Sequence, residues 1–200
     1  MSVKISLKRL LSISGITAAI FFSIVIPFLV LYLPGRIYIY GYYLKPTIYT
    51  ANLPVRLKIP KINVDAAIEY LGLTPDGAMD VPKGPADVAW FSLGPRPGDN
   101  GSAVIAGHYG FWANGENSVF DDLNKLRKGD EVYIEDERGV IITFVVREIG
   151  RYSSDADALN IFSSNDGQSH LNLVTCEGIW DNIQKTYSDR LVIFTDKKIK

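Results

Sequence analysis

One thiol, two imidazoles and one arginine are the groups in this 200-residue chain whose types and spacing could carry covalent chemistry. Cys176, the only cysteine, ends the run His170-Leu171-Asn172-Leu173-Val174-Thr175-Cys176, and Arg190 follows fourteen residues later at the head of Arg190-Leu191-Val192-Ile193-Phe194. A lone cysteine forms no intramolecular disulfide, and its thiolate is a good nucleophile where a neighbour takes the proton. The bland alternative is a small buried hydrophobe, a common fate of free cysteine. Read with period two, the run puts Leu171, Leu173 and Thr175 on one face and His170, Asn172, Val174 and Cys176 on the other. Six residues at about 3.3 Å each set His170 roughly 20 Å from Cys176, too far to be its base. His108, which closes Ser102-Ala103-Val104-Ile105-Ala106-Gly107-His108, is the other imidazole. Two antiparallel strands joined by the polar loop 177–189 place Arg190 beside Cys176. Its planar donor set, charged at any physiological pH, suits a developing oxyanion. Taken singly, His108 also reads as a satisfied structural histidine, and Arg190 as a surface charge paired with Asp189.

These groups need a scaffold, and the chain offers short β-rich runs. They fall at 55–59, 63–70, 88–91, 102–106, 131–135, 140–149, 171–176 and 190–195. Eight such runs predict a small barrel or sandwich. Pro75-Asp76-Gly77, Pro95-Arg96-Pro97-Gly98 and Asp99-Asn100-Gly101 read as turns between them. Residues 118–126 and 155–162 are each expected to form a short helix, the first with Ser118 as its cap before Phe120, Leu123 and Leu126.

Ahead of this scaffold, no charged residue occurs between Arg9 and Arg36. The apolar stretch 10–33 would span about 36 Å as a helix, enough for a hydrocarbon layer of roughly 30 Å. A signal peptide is the competing reading, but its apolar region is shorter and no small-x-small cleavage site follows. The expected organisation is a cytoplasmic N-terminus (1–9), a transmembrane anchor (10–33), a tyrosine-rich juxtamembrane linker (34–53) and an extracytoplasmic domain (54–200). Lys4, Lys8 and Arg9 favour the amino end inside. Tyr32, Tyr38, Tyr40, Tyr42, Tyr43 and Tyr49 suit a segment resting on membrane lipid. The remaining 150 or so residues suffice for one core. A net charge of -1 gives no footprint for nucleic acid.

Asn172-Leu173-Val174-Thr175-Cys176 is similar to the Thr-Leu-x-Thr-Cys element of the sortase family, Ala106-Gly107-His108 matches its Ala-Gly-His, and Arg190-Leu191-Val192-Ile193 resembles its arginine strand. The resemblance runs from about Val55 to Thr195, includes the segment 120–132 after the histidine loop, and is to single-anchor sortases of the class D, E or F kind. Asn172 departs from the threonine of many members and is expected to act on strand packing rather than chemistry. The resemblance implies a mainly β fold, the eight-stranded sortase barrel with short helices, behind one transmembrane helix. It implies a cysteine transpeptidase without cofactor. Cys176 would attack the threonine carbonyl of a Leu-Pro-x-Thr-Gly-like sorting signal on a surface protein, giving a thioester. His108 would serve as acid and base, and Arg190 as oxyanion clamp. An amine acceptor, a cell-wall precursor or a pilin lysine, would complete the transfer.

Other chemistries fit less well. A zinc site needs three or four converging ligands, which His170 and Cys176 at opposite ends of a strand do not supply. A papain-like protease places its cysteine before its histidine, the reverse of the order here. An L,D-transpeptidase holds histidine and arginine within a few residues of its cysteine. The acidic runs 121–122 and 135–137 lack calcium-loop spacing. A membrane-tethered peptide-binding module with a degenerate site is the alternative from a different class.

Overall fold

The computed structural model of the protein describes residues 52–112, 115–156 and 159–199. The expected cytoplasmic segment, anchor and nearly all of the linker lie outside the described residues. Among the described residues no helix is long and apolar enough to cross a membrane.

All eight β-rich runs form strands: β1 (Pro54–Ile59), β2 (Val64–Leu71), β3 (Val88–Phe91), β4 (Gly101–Gly107), β5 (Glu131–Asp136), β6 (Ile141–Ser153), β7 (Ser169–Asp181) and β8 (Thr186–Lys197). They close into a barrel in the order β1-β2-β3-β4-β7-β8-β6-β5, with β1 and β5 completing the ring. The pairs β2–β3 and β4–β7 are parallel and the rest antiparallel. Closure leaves no free edge to aggregate.

Period-two alternation fills the barrel. Leu57 and Ile59 of β1, Ile105 of β4, Leu171 and Leu173 of β7, and Leu191 and Ile193 of β8 all turn inward and are buried. Leu173 and Ile193 face each other in register, each fully enclosed and each contributing about 2 kcal/mol through the apolar surface removed from water. The opposite faces of β4, β7 and β8 are also covered in part. Val104, Val192 and Phe194 form a second cluster with Ile161 of the short helix α1 (Leu159–Phe162). Asn172 lies in this outer row and is buried, and its Nδ2 donates to the Ile161 carbonyl (2.6 Å). Its expected part in packing takes that form: it fastens α1 to β7.

Two expectations are corrected. The segment 118–126 is not an α-helix but a series of turns ending in a 3-10 turn at Leu123–Lys125, with the bonds Asp121 N to Ser118 O and Leu123 N to Phe120 O. Its apolar positions Phe120, Leu123 and Leu126 recur every three residues, which matches three residues per turn, and all three are fully buried. Ser118 is not a cap, because its hydroxyl donates to the Gly110 carbonyl and Asp121 accepts from the Ser118 and Gly110 N–H groups instead. The short helix expected in the segment 155–162 is present, and its described residues are Leu159–Phe162. Lastly, 177–189 is mostly strand. After a bulge the hairpin pairs again at Trp180↔Tyr187 and Asp181↔Thr186, so Cys176 sits within β7 rather than at its end. Gly178, at φ +92°, supplies the bulge, and a Cβ there would run into the Ser188 and Asp189 side chains.

Candidate active site

Strand register pairs two of the predicted residues, Cys176 and Arg190, and a shared cavity brings the third, His108, to the thiol. In the parallel pair β4–β7, Ala106 lies opposite Val174 at the end of the ladder, β4 stops at Gly107, and His108 in the loop that follows lines the same cavity as Cys176. In the antiparallel pair β7–β8, Cys176 is directly opposite Arg190. The outer face of these strands therefore carries successive rows, Val104, Asn172, Phe194, then Ala106, Val174, Val192, and beyond them Cys176 opposite Arg190, with His108 in the loop after β4. Adjacent strands lie about 4.8 Å apart, which puts the arginine on the strand next to the thiol. Residues 68 apart in sequence, His108 and Cys176 thus line one cavity.

Several bonds fix the histidine's backbone. Thr175, turned inward and buried, donates through Oγ1 to the Gly107 carbonyl (2.8 Å), tying the residue before the thiol to the residue before the imidazole. The His108 carbonyl accepts from Phe120 N (3.1 Å). Gly107 is required by space, since a Cβ would lie 2.5 Å from the Phe120 ring and 2.8 Å from Val119. The imidazole itself is held by Nε2, 2.7 Å from the Pro82 carbonyl, and packs on Trp112 at 4.9 Å between ring centres. A carbonyl only accepts, so Nε2 carries the hydrogen and Nδ1 is the nitrogen free to exchange a proton.

Arg190 is held by its own hairpin. Its Nη1 donates to the Tyr187 carbonyl (3.0 Å) and the Asp189 carbonyl (2.9 Å), and its Nη2 to Thr186 Oγ1 (3.1 Å). The partner is the Asp189 backbone, not its carboxylate, which takes the Ser188 hydroxyl. Among the described residues Nε and the second Nη2 hydrogen have no hydrogen-bond partner. Cys176 is half-buried, and burial pushes its thiol above the usual range while the Arg190 charge pulls it down, with burial the larger effect. The resting thiol is therefore protonated at neutral pH, and needs a base as the reaction proceeds.

His170 is placed elsewhere, paired with Ser102 at the opposite end of β4 and β7. Its ring is buried between two carboxylates, Nδ1 at 2.7 Å from Asp196 and Nε2 at 3.0 Å from Asp166. It is a structural clamp.

A cavity of about 540 Å³ opens over the thiol. One wall is Tyr109, Phe111 and Trp112 beyond His108; the other is Trp180, Lys185, Thr186 and Tyr187 on the hairpin arm. An edge-to-face contact joins the walls, Tyr109 to Tyr187 at 5.3 Å, and a second, Tyr187 to Trp180 at 5.1 Å, braces the hairpin arm. Sequence reasoning missed these residues. The signal was the aromatic cluster 109–112 directly after the histidine, and the aromatic pair Trp180 and Tyr187 flanking a turn-forming stretch.

A sequence model of the Sortase domain matches residues 57–198. The chain belongs to the sortase family. Among solved structures this sortase is similar to a Clostridium perfringens sortase D5 transpeptidase, with 25% identity over 73% of this chain and 79% of that one and a TM-score of 0.54. It also shares its fold with sortase C-1 of Actinomyces oris (24% identity, 74% and 76% covered, TM-score 0.58) and sortase C1 of Streptococcus agalactiae (21%, 76% and 71%, 0.58). No curated protein matches the chain. As a member of this family, the protein is a transpeptidase enzyme.

Proposed function

We propose that this sortase cleaves a Leu-Pro-x-Thr-Gly-like sorting signal on surface proteins and transfers the acyl part to an amine, with Cys176, His108 and Arg190 as its catalytic residues. The observation that carries the reading is that Cys176 is paired directly opposite Arg190 and shares a cavity with His108. Cys176 Sγ bonds to the threonine carbonyl carbon as its proton passes to His108 Nδ1, and the carbonyl oxygen becomes an oxyanion facing the Arg190 donors. When the intermediate collapses the carbon–nitrogen bond breaks. His108 returns the proton to the departing glycine amine, leaving a thioester. The incoming amine runs the same steps in reverse, losing its proton to His108 and expelling the thiolate. No step needs a cofactor.

The anchor at 10–33 and the basic residues before it support an enzyme tethered with its catalytic domain outside the cytoplasm. The acceptor in this reading is a cell-wall precursor or a pilin lysine. The purified protein should cleave a quenched Leu-Pro-x-Thr-Gly peptide, and Cys176→Ala should abolish cleavage. Unchanged turnover in that variant would sink the mechanism.

A further inference from the structure

Which amines this site accepts rests on the transfer reading above, and the ground on either side of Cys176 differs. Toward the start of β7, the outer row continues into Val174 and Asn172 under α1. Toward its end, the cavity opens between Trp112 and the hairpin arm and contains His108. The departing amine receives its proton from His108 and the incoming amine gives one to it. Both therefore occupy the same side, and the cavity is where an acceptor sits.

The residues lining that cavity include no carboxylate, and one of them, Lys185, is a cation. The acids around it are committed elsewhere. Asp181, at the hairpin turn, accepts from the N–H groups of Ile183 (2.7 Å) and Gln184 (3.0 Å). Glu177 pairs with Arg151, and Asp121 accepts from Gly110 and Ser118. Among the described residues Lys185 has no ion-pair partner. It also occupies the left-handed region at φ 52°, where glycine or asparagine is the easy choice and a lysine costs roughly 1 kcal/mol. A charged side chain is thus kept, in a conformation that disfavours it, at the rim of the acceptor cavity.

We propose that Lys185 is a specificity-determining residue that reads a carboxylate on the amine acceptor. Lys185 immediately precedes β8, and a strand rise of about 3.3 Å per residue sets it roughly 16 Å from the level of Arg190 and the thiol. An extended tripeptide spans about 10 Å, so a carboxylate three residues from the attacking amine comes within reach of a flexible lysine side chain.

The test uses the full chain, a Leu-Pro-x-Thr-Gly donor peptide and two acceptors that differ only in charge, triglycine and triglycinamide. The ratio of their transfer efficiencies is measured within each variant, so a general loss of activity cancels. Wild type should prefer triglycine about three- to fivefold, the scale of one solvent-exposed ion pair, and the preference should fade in high salt. Lys185→Gly, which also relieves the left-handed strain, should bring the ratio to about one, and Lys185→Glu should invert it. Equal rates in wild type, a preference that survives Lys185→Gly, or one insensitive to salt overturns this inference alone. Transfer to neither amine overturns both it and the functional reading.

Discussion

Gly107→Ala adds one methyl group one residue before His108, and the structure sets what it should cost. Gly107 is not in the left-handed region, so its backbone accepts alanine and only space objects. The new Cβ would lie 2.5 and 2.7 Å from two carbons of the Phe120 ring and 2.8 Å from Val119, where ordinary carbon contacts are about 3.5–4.0 Å. The neighbours must retreat by about 1 Å, yet Phe120 is fully buried among core residues and has nowhere to turn. Overpacking of this kind costs about 1–3 kcal/mol. The displacement passes to the active site, because Phe120 N holds the His108 carbonyl. A misplacement of about 1 Å in a reacting group costs up to ~100-fold. Urea unfolding should therefore show a midpoint lowered by that free energy at unchanged slope, and peptide cleavage should show kcat reduced about 10- to 100-fold with a smaller change in KM. Phe120→Leu in the same chain makes room and should restore part of both losses. Wild-type stability together with wild-type turnover in Gly107→Ala would refute the claim that this glycine positions the histidine.

Further outcomes follow from the same geometry. Arg190→Lys keeps the charge but loses the planar fork held by Thr186 and the Tyr187 and Asp189 carbonyls, so turnover should fall at least about tenfold, and near-normal activity would demote Arg190 to a surface charge. The folded thiol holds its proton more tightly than a free one, so its alkylation rate should rise at higher pH than in the urea-unfolded chain. Arg190→Ala removes the opposing attraction and should move that curve higher still; a shift downward would contradict the assignment of causes. His170→Ala should cost stability on the order of 1–3 kcal/mol by removing a buried, doubly bonded ring, while kcat stays near normal. A loss of activity as large as that of His108→Ala would show that the strand placement is wrong.

The strands were legible because each has an alternating or continuous apolar run bounded by turn residues, and Val88–Phe91 is read from the sequence with the bounds it has in the structure. The hairpin arm was not, since Glu177-Gly178-Ile179-Trp180-Asp181 breaks alternation at a bulge and its second pairing rests on a cross-strand aromatic contact. The segment around Phe120 was misjudged because apolar spacing of three suits a 3-10 turn as well as one face of an α-helix. For the site, the placement of Arg190 followed from antiparallel pairing, and the exclusion of His170 from strand rise. The approach of the loop carrying His108 to Cys176 depends on a parallel β4–β7 pairing that no local spacing encodes. The aromatic cavity walls escaped for a similar reason, since they converge only when the loop after β4 meets the arm of β7 and β8.

The acyl-enzyme is the species on which the proposed mechanism turns. Mass spectrometry of the full chain, quenched in acid during turnover of a Leu-Pro-x-Thr-Gly peptide, should find the acyl fragment joined to the Cys176 peptide. Adding triglycine before the quench should discharge it into a new peptide product. Cleavage proceeding with no adduct on Cys176, or an adduct that persists in Cys176→Ala, would contradict a thioester carried by this residue.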